Sequence, residues 1–332
     1  MYFLLGISIA FALLLVINML SAVFASALWS AVARPVSTLS ARTQAAVIFG
    51  LRVFPVAAAL LFVFAFIIPA YLIYEPAASG EIVSWKLLLV VIASLLSVAV
   101  AVFRVLRTWI ATRRLISGWM HAARPLPVPG LNVPAFSIKH PFPVVAVVGI
   151  FRPRIFLAEK VLDSLDTGEF TAAIAHEFGH LDAYDNLKRT ILRVCRDLVV
   201  LPIGGRLDQA WAHNAESVAD EYAASKSKAA ALDLASALVK IARIAPVYAT
   251  PVMPSGAFLL EEPNADVTTR VRHLVEISEG QDSRVRSAPQ RFFPTTWVAC
   301  LALIVVVGLP LADERLLVMT HTAVEYFVHA LQ

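Results

Sequence analysis

The sequence predicts a mainly α-helical membrane protein, with about four transmembrane helices and one α+β domain facing water. Three observations carry this. Only 16% of the 332 residues are charged and 59% are hydrophobic, against about 25% charged in ordinary soluble domains. Four apolar stretches approach the roughly 20 residues that a membrane crossing needs. The long stretch between the third and the fourth has the mixed pattern of a folded aqueous domain.

The first apolar stretch runs from about Tyr2 to Trp29 without a charge. It has no basic lead-in and is too long for a signal-peptide core, so it reads as a retained helix. The second covers roughly Val53 to Tyr74, the third Leu87 to Phe103, and the fourth Thr295 to Ala312. Loop charges set their direction. Arg34, Arg42 and Arg52 follow the first stretch, whereas Glu75, Glu81 and a lone Lys86 follow the second. Arg104, Arg107, Arg113, Arg114 and Arg124 follow the third, and Arg284, Arg286 and Arg291 precede the fourth. Positive-inside reasoning puts the N-terminus outside, the central segment in the cytoplasm and the last twenty or so residues outside. The chain then divides into residues 1–110 with three spans, 111–292 as the aqueous domain, and 293–332 as a span with a short external tail. The net charge of +4 follows from arginines beside apolar segments, which argues against a nucleic-acid partner. Cys195 and Cys300 match no CxxC pattern and read as packing residues.

The aqueous domain opens on "RPLPVPGLNVPAF", where the prolines favour extended chain. Two β-like runs, Val144 to Val148 and Ile155 to Leu157, flank "GIFRPR" and predict a hairpin or adjacent strands. In "LDTGEF", Asp166 followed three residues later by Glu169 is a capping box that starts a helix. "DLVVLPIGG" is too short to cross a bilayer, and is expected to dip into the interface or pack on a span. A second helix covers about Asp208 to Ser225, and helical sequence continues to about Ile244.

The first of these helices contains "IAHEFGH". His176 and His180 stand at i and i+4, so a helix puts both imidazoles on one face with Glu177 beside them. Two zinc ligands and a carboxylate that works on water have this spacing. Chance would produce it in about one per cent of such chains, and the alternative is a helix whose histidines merely pack in a core. A catalytic zinc needs a third protein ligand. Glu216 and Asp220 in "HNAESVADEYAAS" share a helical face, with Ala215, Ala219 and Ala223 leaving room for close packing. Glu216 would be the ligand and Asp220 the acceptor for a ligand imidazole. His213 competes for the third position. Asp182 and Asp185 read as polar residues closing the apolar stretch, and His121, His140, His273, His321 and His329 have no ligand spacing to a partner.

The run "FRPRIFLAEKVLDSLDTGEFTAAIAHEFGHLDAYDNLKR", followed by "AESVADEYAAS", resembles the membrane-bound gluzincin metallopeptidases. These are the HtpX and CAAX prenyl protease family (metallopeptidase family forty-eight) and the related BlaR/MecR family (fifty-six). The resemblance covers about Pro141 to Ser225 and extends more weakly to "NADVTTRVRHLVE". There Arg270 matches the family's arginine, while "EEPNAD" replaces the His-Pro frequent in the HtpX branch, a lean toward the BlaR/MecR side. The resemblance implies one zinc ion held by His176, His180 and Glu216, with Glu177 as base and acid and Asp220 behind a ligand. It also implies a strand near Val144 to Gly149 that pairs with an extended peptide. Arg270, His213 and Tyr222 are candidates for stabilising the oxyanion.

The expected activity is that of an integral-membrane zinc endopeptidase in quality control or regulatory proteolysis. Its partners would be a peptide or protein substrate and the lipid bilayer, and its place a bacterial inner membrane with the catalytic domain facing the cytoplasm. One alternative is a BlaR/MecR-like transducer that cleaves a cytoplasmic repressor, although Asp313 to Gln332 are too few for an external antibiotic-binding domain. The other is a non-catalytic membrane scaffold.

Overall fold

The computed structural model describes residues 2–76, 84–128, 132–245, 265–280 and 314–331. Among the described residues, three helices are long and apolar enough to span a membrane: α1 (Tyr2–Val36), α2 (Ala41–Tyr74) and α3 (Trp85–Met120). All three outrun the apolar stretches that predict them, because polar turns prolong them on the arginine-rich side. The expected fourth span, Thr295 to Ala312, lies outside the described residues.

Inside α2 the chain widens to a π turn at Val63–Ile67, where the Ile68 amide bonds back to the Val63 carbonyl. Pro69 explains the widening: it has no N–H, and its ring would press on the carbonyl four residues back. At this end of the bundle Leu5, Ile9, Val63, Ile67, Tyr71, Leu87 and Val91 form one buried cluster. The final helix, α10 (Glu314–Leu331), joins that cluster through Val324 and Val328. The residues expected as a short external tail thus form a helix packed on the bundle.

The aqueous domain hangs from the other end. A four-stranded sheet has the order β1-β2-β4-β3, from β1 (Arg124–Leu126), β2 (Ala135–Ile138), β3 (Val145–Val148) and β4 (Arg154–Ala158). β2 and β4 are parallel, and the other two pairings are antiparallel. The hairpin expected around "GIFRPR" is β3–β4, with Val147 opposite Ile155. Ile155, Phe156 and Leu157 are wholly buried beneath the helices, which leaves β3 as an edge.

After the short α4 (Glu159–Ser164) come α5 (Thr167–Asp182), α6 (Asp185–Asp197), α7 (Gly205–Ala224), α8 (Lys228–Ile244) and α9 (Ala265–Ser278). α5 begins at the expected capping box: the Glu169 amide donates to Asp166 Oδ1 and the Asp166 amide to Glu169 Oε2, both 2.9 Å. Ser236 and Lys240 of α8 also donate to Glu169, at 2.5 and 2.6 Å, which fixes the start of α5 against α8.

α5 and α7 touch almost backbone to backbone. A Cβ on Gly179 would stand 2.9 Å from the Ala219 Cα. Polar contacts tie α7 and the end of α6 to the spans. Arg52 of α2, 2% exposed, donates from Nε to Asp208 at 2.8 Å, beside Gly204, whose φ of +91° and missing Cβ admit the guanidinium. Asn18 of α1 donates to the Leu198 carbonyl at 2.8 Å, and Arg104 of α3 to Asp197 at 2.6 Å. The "DLVVLPIGG" segment thus packs on the spans, with Val200 and Leu201 left exposed.

Candidate active site

His176 and His180, one turn apart on α5, present rings 4.8 Å apart at 88° to each other. Glu216 of α7 faces both. Its Oε2 lies 3.6 Å from His176 Nε2, and its Oε1 3.6 Å from His180 Nε2. These donors form a mutual group of the kind that holds a metal ion. Carboxylates stand behind the other two ring nitrogens, hydrogen-bonded at His180 and in close contact at His176. Asp220 Oδ1 lies 2.9 Å from His176 Nδ1 and Asp185 Oδ2 lies 2.8 Å from His180 Nδ1. Carboxylates there orient the rings so that each Nε2 faces Glu216.

The donor set fits zinc. Nitrogen and oxygen ligands at about 2.0–2.2 Å from a tetrahedral ion stand about 3.4 Å apart, close to the 3.6 Å found here. Histidine nitrogen with one carboxylate is also the mixture that suits this ion.

Glu177 is 5% exposed and stands beside the donors, its Oε2 accepting from the Val147 amide at 3.2 Å. Arg270 reaches in from α9. It holds Asp220 with two bonds, Nε to Oδ2 at 2.9 Å and Nη2 to Oδ1 at 2.7 Å, and its Nη1 lies 3.3 Å from Glu216. Arg189 of α6 approaches Glu216 from the opposite side, at 3.4 Å.

Burial and charge act against each other throughout. Burial alone would lower His180, but the Glu216 charge and the bonds to Asp185 and Glu216 push it up to about 10. His176 is likewise raised, its loss by burial outweighed by Asp220 and Glu216. Burial would raise Asp220, yet Arg270 and His176 hold it near 2. Glu216 is held well below its ordinary value against burial, first by His180 and then by His176. Burial raises Glu177, with His176 and His180 opposing. The same negative potential that draws protons onto the imidazoles would draw a divalent cation.

The expected residues His176, Glu177, His180, Glu216, Asp220 and Arg270 thus converge on one place. Of the other two candidates, His213 is exposed and outside the donor group, and Tyr222 stacks on Phe178. Asp185, read from sequence as a polar terminator, is instead 3% exposed and bonded to His180. The cause is a break at Tyr184, whose φ of 55° is left-handed. It turns the chain so that the first turn of α6 folds back under the site. Asp185 then meets His180, Arg189 meets Glu216, and Asn186 bonds the Val147 and Gly149 carbonyls. A bulky aromatic is a poor sequence signal for such a break, since the left-handed conformation costs about 1–2 kcal/mol. His321, which lacks an obvious partner in sequence, sits with Glu75 and Glu325 in a second group of possible ligands at the α10 end.

Comparison with known families gives one match: residues 122–214 match peptidase family M48. The matched segment runs from just before β1 into α7 and stops short of Glu216. No curated protein matches the chain. The match, together with the three candidate spans, supports a membrane-associated metallopeptidase.

Proposed function

We propose, from the match of residues 122–214 to peptidase family M48, that this chain is an integral-membrane zinc endopeptidase. It would act on the cytoplasmic side of a bacterial inner membrane, in quality control or regulatory proteolysis. The observation that carries the reading is Glu177, a buried carboxylate beside three converging donors and against the edge strand β3.

His176, His180 and Glu216 would hold the zinc. Bound there, zinc supplies Lewis-acid chemistry, acidifying water and polarising a peptide carbonyl. Glu177 takes a proton from the attacking water and gives it to the leaving amine nitrogen. Asp220 and Asp185 keep the two imidazoles in orientation. Arg270, engaged on Asp220, holds that carboxylate and Glu216 in place, so its role is positioning rather than direct contact with the reacting carbonyl. The outward-facing backbone of β3 supplies the surface on which an extended peptide is held. The arginine distribution along α1, α2 and α3 supports the cytoplasmic orientation.

Glu177→Gln tests the reading. The amide keeps the side chain's shape, so one zinc per chain is retained while peptide cleavage falls about 10²–10⁴-fold, the usual worth of a positioned base. Undiminished cleavage by that variant would remove Glu177 from the chemistry.

A further inference from the structure

The edge of β3 is not open along its whole length. In an antiparallel pair alternate residues bond the neighbouring strand, and those between face away. Val144 belongs to the first set, since its carbonyl accepts from the Ala158 amide at 2.8 Å. Val145, Val147 and Gly149 therefore face the free edge. Two of these three are already engaged. The Val147 amide donates to Glu177 at 3.2 Å. The single Nδ2 of Asn186 donates to the Val147 carbonyl at 3.1 Å and to the Gly149 carbonyl at 3.0 Å.

Asn186 thus fills the two acceptor positions that a substrate strand's N–H groups would take at this end. The backbone agrees independently: β3 ends at Val148, and Gly149 turns left-handed at φ +106°. At the other end Pro143 has no N–H, and the Val144 amide bonds back to Phe142 at 2.9 Å. The open part of the edge is the amide and carbonyl of Val145, on one side of Glu177.

We infer that Asn186 determines specificity by ending the substrate-pairing edge, so that a peptide is held as a strand on one flank of the scissile bond only. The inference rests on the peptidase reading above. On the paired flank the peptide exchanges backbone hydrogen bonds with Val145. On the other flank it meets the Asn186 amide and finds no acceptors. Cleavage would therefore depend on a short extended segment to one side, and tolerate wide variation in length to the other.

The test uses the full-length protein in detergent. Casein digestion locates a preferred cleavage site, and a synthetic peptide spanning it is shortened one residue at a time from either end. For the wild-type protein, trimming the paired flank raises KM about tenfold or more, while trimming the other changes it less than about twofold. Asn186→Ala, and Asn186→Asp, which keeps the shape but removes both N–H donors, free the Val147 and Gly149 carbonyls. Both variants then acquire length dependence on the second flank, with zinc content unchanged. A merely structural role for Asn186 would lower kcat for every peptide alike and leave the asymmetry intact. Equal dependence on both flanks in the wild-type protein overturns the inference, as does unchanged asymmetry in both variants, while the peptidase reading stands. A wild-type protein that cleaves neither casein nor peptides overturns that reading, and this inference with it.

Discussion

Asp185 offers the sharpest test of how the site is held together, because a neighbour of the same type three residues earlier supplies the control. Asp185 and His180 are both nearly excluded from solvent, and their 2.8 Å contact fixes which ring nitrogen is left to bind metal. Losing such a partner behind a ligand costs roughly 10–100-fold in metal affinity, or about 1.4–2.7 kcal/mol. Asp185→Ala falls at the upper end, because it leaves a buried N–H donor without an acceptor, itself a loss of about 1–3 kcal/mol. Asp185→Asn keeps a neutral acceptor oxygen and falls near tenfold. The zinc is weakened rather than lost, since Asp220 still orients His176. Asp182 is 51% exposed at its side chain and faces Arg42 at 3.6 Å, so Asp182→Asn changes stability by less than about 0.5 kcal/mol and leaves affinity alone. Competition against a graded chelator measures affinity in the purified proteins, with zinc content read by atomic emission. If Asp185→Ala binds zinc as tightly as the wild-type protein, or Asp182→Asn weakens it as much, the assignment of Asp185 is wrong.

Two further predictions concern the frame around the site. Gly179→Ala puts a methyl group 2.9 Å from the Ala219 Cα and 3.2 Å from the Tyr222 Cβ. Backbone cannot yield as a side-chain tip can, so α5 and α7 must separate, at about 1–3 kcal/mol. Thermal unfolding should show the loss, and zinc affinity should fall with it because the separation moves Glu216 away from both histidines; a variant with unchanged affinity would mean the helices have slack. The second is a pH effect at Glu169. Burial would raise this carboxyl, but the bonds from Lys240, Ser236 and the Asp166 amide outweigh it and hold it below 4.5. A depressed carboxyl stabilises above its unfolded pKa, and that contribution disappears as pH falls through the folded value, here below 4.5. Circular dichroism between pH 3 and 6 should therefore show Glu169→Gln with a flatter acid limb than the wild-type protein; identical limbs would refute the linkage.

Much of the site is legible in sequence because it is written within helices. His176 and His180, and likewise Glu216 and Asp220, are four residues apart, so helical geometry alone puts each pair on one face. The capping box at Asp166 and Glu169 is equally local. What sequence could not supply are the relations that depend on a break or on distant chain. Asp185, Asn186 and Arg189 reach the site only because Tyr184 adopts a left-handed conformation, which nothing in an aromatic side chain announces. Family resemblance singled out Arg270, but not its two bonds to Asp220, because fifty residues separate the partners. The edge strand was legible as a strand from its run of valines. That half its edge is engaged by Asn186 is a tertiary fact.

A site that works with water sits in a chain this apolar because the spans set its height. Tyr74 and Arg52 are 22 residues apart on α2, about 33 Å at 1.5 Å per residue, close to the roughly 30 Å of a hydrocarbon core. One hydrocarbon thickness of helix thus separates Tyr74 from Arg52, and Arg52 meets Asp208. From that contact α7 descends beside α2, with Leu207, Trp211 and Ala215 sharing a buried cluster with Ile48. Glu216 is eight residues beyond Asp208, about 12 Å further along α7. The third ligand is thus carried on a helix whose first turn is bonded to a membrane span. Gly204 lets Arg52 come that close, and Gly179 brings the other two ligands up to the same helix. The two glycines and the Arg52–Asp208 pair together fix the three donors relative to one another and to the second candidate span.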